Sequence, residues 1–407
     1  YICGNLQENC IDIHSTNLDY FKVGNNSKED FLNLLNFEGT TIKRIIYFPS
    51  ENHLKDMFNI CRFFYKVKNK IQFFIIDKEK DSVISAKNHA LYAWGKSFEK
   101  ENHNFEFLYL NIFSSEFSLN LLKHIEKLKK GINCHEFIIK NENEIFYRKI
   151  SVESSKKDLW NNQFKITPNM PYLITGGMGK IGQQVAKLVS NSGGIPILVG
   201  RHINTQLEEE INKNIGRAVC YVCDVSKKPD VQHLFDLISK NHGNIKGIFH
   251  CAGVNNDKLL YSKNFENVIN VVNPKVQGTI NLDEITKNEP LDFFIMFSSL
   301  SSTLCNIGQT DYSYANMFMD NFSEVRSKLV KKGLRSGKTY SISWPFVRNS
   351  GMIINDKLLK KMESETGIKD IDVSEIKKLV LNEYKNPHVT IIPGDIGKIC
   401  GYIQECM

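Results

Sequence analysis

The sequence predicts an α/β protein made of two doubly wound parallel-sheet units, and three observations support that prediction. Short apolar, aromatic and β-branched runs alternate with segments of helical periodicity, as expected for βαβ units around a parallel sheet. The alternation begins near residue 44, stops in a polar stretch at 151–170, and begins again at Tyr172. A glycine-rich turn follows the first strand of the second series and is missing from the first series.

The first series lies within residues 1–158. It predicts strands at 44–48, 71–76 and 105–113. Helices are predicted between and after them, at 51–68, 83–101 and 116–130. The strand at 44–48 runs into FPSEN, where side chains and a proline would keep a pyrophosphate away from the backbone. The first unit is therefore predicted to have the architecture of a nucleotide-binding fold without its phosphate site.

The second series lies within residues 165–407 and reads as a complete doubly wound sheet. After the strand that opens at Tyr172, further strands are predicted at 196–200, 219–223, 247–250, 293–298 and 339–344. The longest helices are predicted at 262–287 and 313–332.

Composition narrows the class of protein. Of the 407 residues, 42% are hydrophobic and 24% are charged, which is typical of a globular protein. No apolar run approaches the roughly 18 residues of a membrane span. The net charge of +7 is spread along the chain, which argues against nucleic acid as a partner. The chain starts at YICGNL without a Met, so we expect it to be a piece of a longer polypeptide.

The ten cysteines form no framework. Only Cys220 and Cys223 make a C-x-x-C, inside a predicted strand and without a second pair of ligands, so no metal site is predicted. Reduced thiols favour a cytoplasmic location.

The segment YLITGGMGKIGQQVAKLV, residues 172–189, predicts a strand, a glycine turn and a helix in direct succession. Gly176, Gly179 and Gly182 would allow a tight turn, close approach of a pyrophosphate, and close helix–strand packing. The helix N terminus would add free N–H groups and partial positive charge. A purely structural glycine turn is the alternative interpretation.

The ends of the next strands favour a particular dinucleotide. Arg201 follows the second strand, where Asp or Glu would favour NADH, and an arginine there can pair with the 2′-phosphate of NADPH. Asp224 ends the third strand and is expected at the adenine, with capping of the next helix as the alternative. Small residues in HCAGV, including Gly253, would let the backbone approach the cofactor.

Six motifs now identify a resemblance: ITGGMGKIG, HCAGV, NPKVQGTINL, FFIMFSSLS, GQTDYSYANMFMDNF and SISWPF followed by GM. In this order and spacing, over most of residues 170–352, they resemble the ketoreductase domain of modular type I polyketide synthases, a branch of the short-chain dehydrogenase/reductase superfamily. The first unit resembles the degenerate, structural subdomain that precedes such domains. The resemblance implies two Rossmann-like subdomains, the first structural and the second catalytic. The Trp-Pro pair in SISWPF is similar to that of assembly lines with free-standing acyltransferases.

The resemblance also implies the catalytic residues. Simpler dehydrogenases place a lysine four residues after the tyrosine, whereas residue 316 is an asparagine. The polyketide family exchanges these two positions, which assigns the lysine to Lys275 and the asparagine to Asn316. Tyr312 would donate a proton to the substrate carbonyl and Ser299 would bind the same oxygen. Lys275 would stabilise the phenolate and hold the nicotinamide ribose, and Asn316 would organise proton replenishment through a water and the backbone.

Two neighbouring residues compete for these roles. Tyr314 lies two positions after Tyr312 and has Phe318 where the family needs asparagine, and the family's serine-to-tyrosine spacing of thirteen leads from Ser299 to Tyr312. Ser298 adjoins Ser299, but adjacent strand residues face opposite sides. The motif positions favour Tyr312 and Ser299.

The resemblance further implies a β-ketoacyl substrate, tethered through phosphopantetheine to an acyl carrier protein, and neighbouring synthase domains. Family members that give a D-hydroxyl have Leu-Asp-Asp after AGV, and only the last residue, Asp257, remains here. Members of the opposite class have a tryptophan where this sequence has Leu304. Both signs of the resemblance favour a D-hydroxyl product. A lid is expected at 344–386, with apolar substrate contacts from Trp344, Phe346 and Met352.

Three alternative functions stay open. The chain could be a catalytically silent scaffold that binds a carrier protein, although the four catalytic residue types argue against this. A nucleotide-sugar epimerase of the extended dehydrogenase type usually needs a lysine four residues after the tyrosine, and Asn316 at that position argues against it. A reductase that also epimerises the α-carbon is compatible with the sequence.

Overall fold

In the computed structural model, the described residues are 2–4, 44–78, 81–113, 119–131, 134–141, 144–147, 163–203, 205–351 and 355–406. They form two main sheets, of six and seven strands, and a small two-stranded sheet. Helices pack on both faces of each main sheet, which confirms the predicted α/β class. The polar boundary predicted at 151–170 lies mostly outside the described residues.

The first subdomain contains the six-stranded sheet. Its strands are β1 (Ile2–Gly4), β2 (Arg44–Phe48), β3 (Ile71–Asp77), β4 (Phe105–Ile112), β5 (Glu136–Asn141) and β6 (Glu144–Tyr147). They lie side by side in chain order, all parallel except the β5–β6 pair. The helices are α1 (His53–Phe64), α2 (Val83–Glu101) and α3 (Leu119–Gly131). Helices α1 and α2 pack on one face of the sheet and α3 packs on the other.

The second subdomain begins with a strand, helix and strand: β7 (Pro171–Thr175), α4 (Lys180–Asn191) and β8 (Ile195–Gly200). It continues with α5 (Thr205–Ile215), β9 (Val219–Val222), α6 (Lys228–His242), β10 (Gly247–His250), α7 (Phe265–Ile285) and β11 (Phe293–Ser299). The short α8 (Ser301–Leu304) precedes the long α9 (Thr310–Lys331) and β12 (Lys338–Trp344).

After β12 the chain forms β13 (Val347–Arg348), α10 (Asp356–Thr366), β14 (Ile371–Asp372), α11 (Ile376–Leu379), β15 (His388–Thr390) and α12 (Ile396–Cys406). Strands β13 and β14 pair in parallel in the two-stranded sheet. The segment predicted as a lid therefore carries two short strands and two helices between β12 and β15. Asn355 caps α10 by accepting a hydrogen bond from the Lys357 backbone N–H.

The seven-stranded sheet is parallel throughout and has the order β15-β12-β11-β10-β7-β8-β9. Strands β8 and β9 follow β7 on one side of the sheet. The chain then crosses to the other side of β7, where β10, β11, β12 and β15 follow in order. This reversal opens a crevice at the carboxyl ends of β7 and β10, which is where ligands bind in open α/β sheets.

Helices from both subdomains form one continuous apolar layer. It joins α1 and α2 of the first subdomain to α7 and α9 of the second. The Trp94 and Tyr314 rings meet edge to face with centroids 6.1 Å apart, and the Phe58 and Phe265 rings lie 5.5 Å apart. Because both subdomains bury side chains in the same layer, the position of one constrains the other.

The main strands and helices agree with the sequence prediction, and the shortest elements do not. The hairpin of β5 and β6 was not predicted, and most of the β6 side chains are exposed or half-buried, which leaves little apolar signal. Helix α9 begins at Thr310, three residues earlier than predicted.

Candidate active site

The glycine turn lies between β7 and α4, at the crevice. Gly176 has φ of +65°, and a Cβ there would lie 2.9 Å from the Ala252 backbone. A Cβ at Gly182 would lie 2.5 Å from the Gly176 carbonyl oxygen. Gly179 precedes α4, and no side chain caps the N terminus of that helix. The turn therefore has room for an anionic group against bare backbone N–H groups, so these residues fit a dinucleotide pyrophosphate.

The strand ends beside this turn carry the other two predicted cofactor side chains. Arg201 follows β8 directly and is exposed. The Asp224 carboxylate accepts hydrogen bonds from the Ser226 N–H at 3.0 Å and the Ser226 hydroxyl at 2.7 Å, which orders the turn before α6. Neither residue lines the crevice that holds the glycines, and both lie at the same edge of the sheet.

Tyr312, Ser299 and Lys275 line one pocket together with Gly176, Gly179, Gly182 and Gly253. Ser299 ends β11, Tyr312 lies in the first turn of α9, and Lys275 projects from the middle of α7. The structure thus brings three residues that are separated in sequence to the same crevice as the glycine turn.

Lys275 is held at the base of this pocket. Its Nζ donates a 2.7 Å hydrogen bond to the Phe297 carbonyl and lies 5.8 Å from the centroid of the Tyr312 ring. A Cβ at Gly253 would lie 2.7 Å from the Lys275 Cε, so glycine provides the space that the lysine side chain occupies. Burial lowers the pKa of Lys275 to about 8, and the nearby Cys251 and Asp320 offset part of that change.

Tyr312 has the opposite shift. Burial raises the pKa of Tyr312, hydrogen bonding with Ser299 and Asn316 lowers it, and the charge of Asp257 raises it. The net direction is upward, although a neighbouring ammonium was expected to lower it. Burial is the largest of these effects.

Asn316 lies one turn after Tyr312 in α9. Its Nδ2 donates to the Tyr312 carbonyl at 2.8 Å, and its buried Oδ1 has no hydrogen-bond partner among the described residues. The Ser298 hydroxyl donates to the Asn316 carbonyl at 3.3 Å, which engages Ser298 with the helix. Tyr314 points elsewhere, since its hydroxyl lies 2.8 Å from His53 Nε2 in the layer between the subdomains.

The predicted substrate residues have different environments. Asp257 is exposed, and its Oδ2 accepts from the Gln309 side chain at 3.0 Å. Trp344 lines the pocket but is only 3% exposed, and its ring stacks on Phe297 with centroids 5.5 Å apart. Phe346 is partly buried and is not among the residues that line the pocket. Met352 lies outside the described residues.

Three polar features near the pocket, two of them buried and the third partly buried, were missed by sequence reasoning. Asp320 accepts hydrogen bonds from three serine hydroxyls, those of Ser302, Ser341 and Ser343. Lys263 pairs with Asp311 at 2.6 Å, with both side chains 1% exposed. Glu101 reaches the site from the first subdomain. Each depends on contacts between distant parts of the chain, so no local pattern signals it.

Within the described ranges, no group of three or more His, Cys, Asp or Glu side chains could hold a metal ion. Over the same ranges, no helix is long and apolar enough to cross a membrane. The Cys220 and Cys223 thiols are unpaired, and burial raises the pKa of each, which makes them poor ligands and nucleophiles.

Comparison with known proteins identifies the second subdomain. Residues 171–349 match the KR domain family. The polyketide synthase PksN of Bacillus subtilis is 36% identical over 242 residues, which are 57% of this chain and 4% of that protein. PksL of the same organism is 34% identical over 245 residues, 58% of this chain and 5% of that protein. The chain thus spans only about one-twentieth of these relatives.

Solved structures resemble nearly the whole chain. A ketoreductase domain from the bacillaene assembly line matches with a TM-score of 0.77 and 25% identity, over 90% of this chain and 96% of that one. An N-terminal ketoreductase from the macrolactin assembly line shares the fold, with a TM-score of 0.76 and 22% identity over 99% of this chain and 83% of that one. Residues 171–349 thus match the KR domain family, and the chain is similar in sequence and fold to ketoreductase domains of polyketide synthases.

Proposed function

We propose that the chain reduces a β-ketoacyl thioester, carried on an acyl carrier protein, to the β-hydroxyacyl thioester with NADPH. The observation that carries the proposal is the meeting of Tyr312, Ser299 and Lys275 in one pocket with the glycine turn. A hydroxyl acid, a second hydroxyl for the developing oxyanion and a cation for the resulting phenolate are the groups that carbonyl reduction needs.

The glycine turn of Gly176, Gly179 and Gly182 would hold NADPH, which would supply the hydride for the carbonyl carbon. The Tyr312 hydroxyl gives its proton to the carbonyl oxygen, which leaves a phenolate beside the Lys275 ammonium. The Ser299 hydroxyl donates a hydrogen bond to the same oxygen as negative charge develops there. Asn316 fixes the Tyr312 backbone through its 2.8 Å hydrogen bond, and we assign proton replenishment to this part of the site.

The choice of NADPH over NADH rests on Arg201. The side chain is exposed at the carboxyl end of β8, one strand from the glycine turn, and can turn toward a 2′-phosphate. Asp224, at the end of the next strand, is proposed to contact the adenine in addition to ordering its own turn.

The product is proposed to be the D-hydroxyl (B-type) alcohol. Asp257 and Leu304 support this, through the resemblance to that class of ketoreductase. The curated relatives are polyketide synthases many times longer than this chain, which supports neighbouring synthase domains and a carrier protein as its partners. A cytoplasmic location is proposed with them.

The first test mixes the protein with NADPH and a short β-ketoacyl pantetheine thioester, follows NADPH oxidation, and resolves the product on a chiral column. We expect oxidation and a D-alcohol. An L-alcohol would keep the reductase and reject the stereochemical proposal. If neither this substrate nor its carrier-bound form were reduced, the silent scaffold would replace the proposal. Loss of label from an α-deuterated substrate would reveal epimerisation as a second activity.

A further inference from the structure

Glu101 is the last residue of α2, in the first subdomain, yet most of its hydrogen bonds go to the second. Its Oε2 accepts from the Leu260 N–H at 2.8 Å and from the Tyr65 hydroxyl at 2.7 Å. Its Oε1 accepts from the Gly308 N–H at 3.1 Å and from the Thr310 hydroxyl at 2.8 Å. One carboxylate thus accepts four hydrogen bonds, three of them from the catalytic subdomain.

Those three donors lie in or directly after two loops, 251–259 and 305–309, and the first loop contributes residues to the pocket. Leu260 follows the loop that carries Asp257, and Gly308 and Thr310 lead into the first turn of α9, where Tyr312 lies. The loops also contact each other, because the Lys258 N–H donates to the Gly308 carbonyl at 3.1 Å.

A short series of contacts connects Glu101 to Asp257. Gly308 is bonded to the Glu101 carboxylate, and its neighbour Gln309 donates from Nε2 to the Asp257 Oδ2 at 3.0 Å. The carboxylate therefore fixes the backbone from which Gln309 holds Asp257. Just after the two loops, the buried Lys263–Asp311 pair adds a third connection between the same two segments.

Two other residues of α2 hold the start of the second loop. The Lys100 Nζ donates to the Leu304 carbonyl at 2.6 Å, and the Ser97 hydroxyl donates to the Asn306 carbonyl at 2.5 Å. The C-terminal turn of α2 thus supports the polypeptide from 304 to 310 along its length.

The position of Glu101 is unfavourable on local grounds. A carboxylate at the C terminus of a helix meets the negative end of the helix dipole, which destabilises it. Hydrogen bonds to a charged acceptor are roughly twice as strong as neutral ones, so the four donors offset this cost. A glutamine at the same place would present one acceptor oxygen and an amide that opposes two of the donors.

We propose that Glu101 is a positioning residue for stereochemical selection. It fixes the position of the loop that carries Asp257 relative to the start of α9, which carries Tyr312. The inference rests on the proposed ketoreductase function and deepens it. It assigns the cofactor-free subdomain a role in the choice of product face, beyond packing against the catalytic subdomain.

The test compares Glu101→Gln with Glu99→Gln, two identical substitutions two residues apart on α2. Glu99 is engaged inside the first subdomain, with Lys96 Nζ at 3.1 Å, His135 Nε2 at 3.4 Å and the Phe107 N–H at 3.1 Å. For each variant we would measure thermal stability, the dissociation constant of NADPH and the ratio of the two alcohols from the pantetheine thioester. Gln309→Leu, which removes the contact with Asp257 at a partly exposed position, is a third variant.

We expect Glu101→Gln to raise the minor alcohol about tenfold relative to the major one, the effect of one lost hydrogen bond to a charged group. NADPH affinity should change less than twofold, and Gln309→Leu should shift the ratio in the same direction. Glu99→Gln should lower the melting temperature and leave the ratio unchanged.

An unchanged ratio in both Glu101→Gln and Gln309→Leu, or an equal change in Glu99→Gln, would reject the positioning role. If wild-type protein reduced no substrate at all, the proposed function itself would be wrong. The two failures are therefore distinct.

Discussion

The two subdomains repeat the same strand–helix alternation but end their strands differently. In the first sheet the strands lie in chain order, and the described part contains no reversal. Its carboxyl edge is closed by side chains: the Asp77 carboxylate accepts from Asn88 of α2 at 2.9 Å and from Tyr109 of β4 at 2.7 Å. In the second sheet the order reverses at β7, and Gly176 and Gly177 follow that strand directly.

This difference shows that the alternation of strands and helices is not sufficient to form a cofactor site. A dinucleotide needs a crevice between diverging strands and backbone it can touch. The first subdomain has neither at its described carboxyl edge, and its helices instead pack against those of the second. Its contribution is to fix the helices and loops from which the pocket is built.

The two faces of helix α9 differ in the same way, because Tyr312 faces the pocket and Tyr314 faces the first subdomain. We expect Tyr312→Phe to lower the reduction rate by about 10³-fold, since the proton donor is removed, while NADPH still binds. Tyr314→Phe should keep the rate and lower the free energy of unfolding by about 1 kcal/mol, through loss of its hydrogen bond to His53. Steady-state kinetics and NADPH titration of both variants make the measurement.

The opposite pattern, with Tyr314→Phe inactive and Tyr312→Phe active, would show that the proton donor is Tyr314, on the other face of α9. Equal loss in both would indicate that the helix is disturbed as a whole, which thermal unfolding of each variant would reveal.

Substitution of one glycine in each subdomain would distinguish an effect on cofactor binding from an effect on packing. Gly182→Ala places a Cβ 2.5 Å from the Gly176 carbonyl, so the turn must shift, and we expect NADPH to bind at least about tenfold more weakly. Gly95→Ala places a Cβ 2.3 Å from the Phe107 ring inside the first subdomain. That overpacking should lower the free energy of unfolding by about 1 to 3 kcal/mol.

NADPH affinity should be unchanged in Gly95→Ala, as measured by fluorescence titration of both variants at a temperature where each is folded. A matching loss of affinity would mean that the first subdomain controls the cofactor crevice directly.

The sequence was sufficient for most strands and helices and for three residues that meet in the pocket, but the predicted Arg201 and Asp224 do not line that pocket. Strands β2 and β10 and helix α2 have the predicted bounds. The convergence of Lys275, Ser299 and Tyr312 agrees with the motif spacing. The Glu101 contacts and the Asp320 network were not predictable, because they join residues far apart in sequence through ordinary polar side chains.

Charge is the last difference between the subdomains, and it predicts how the protein responds to pH. The first contains the buried Lys96, and the second contains the buried Lys263, which is paired with Asp311, and the buried Lys275. Lys96 is paired with the Glu99 carboxylate at 3.1 Å, whereas the Lys275 Nζ donates to the Phe297 carbonyl. Burial alone would raise the pKa of Glu99, but hydrogen bonding and charge from His135 and Lys96 lower it to about 2. The first subdomain therefore keeps this charge from pH 5 upward.

The pKa of Lys275 is lowered to about 8 by burial, so its ammonium is lost as the pH rises through that value. If the ammonium stabilises the Tyr312 phenolate, kcat/KM should fall by about tenfold per pH unit above 8. Unfolding cannot mimic this through the same group: the unfolded lysine, with its ordinary pKa near 10.5, binds more protons than the folded one between pH 8 and 10.5, so stability contributed by Lys275 rises there. A flat kcat/KM up to pH 10, in protein shown to be folded by circular dichroism, would exclude a charged Lys275 from the rate-determining step.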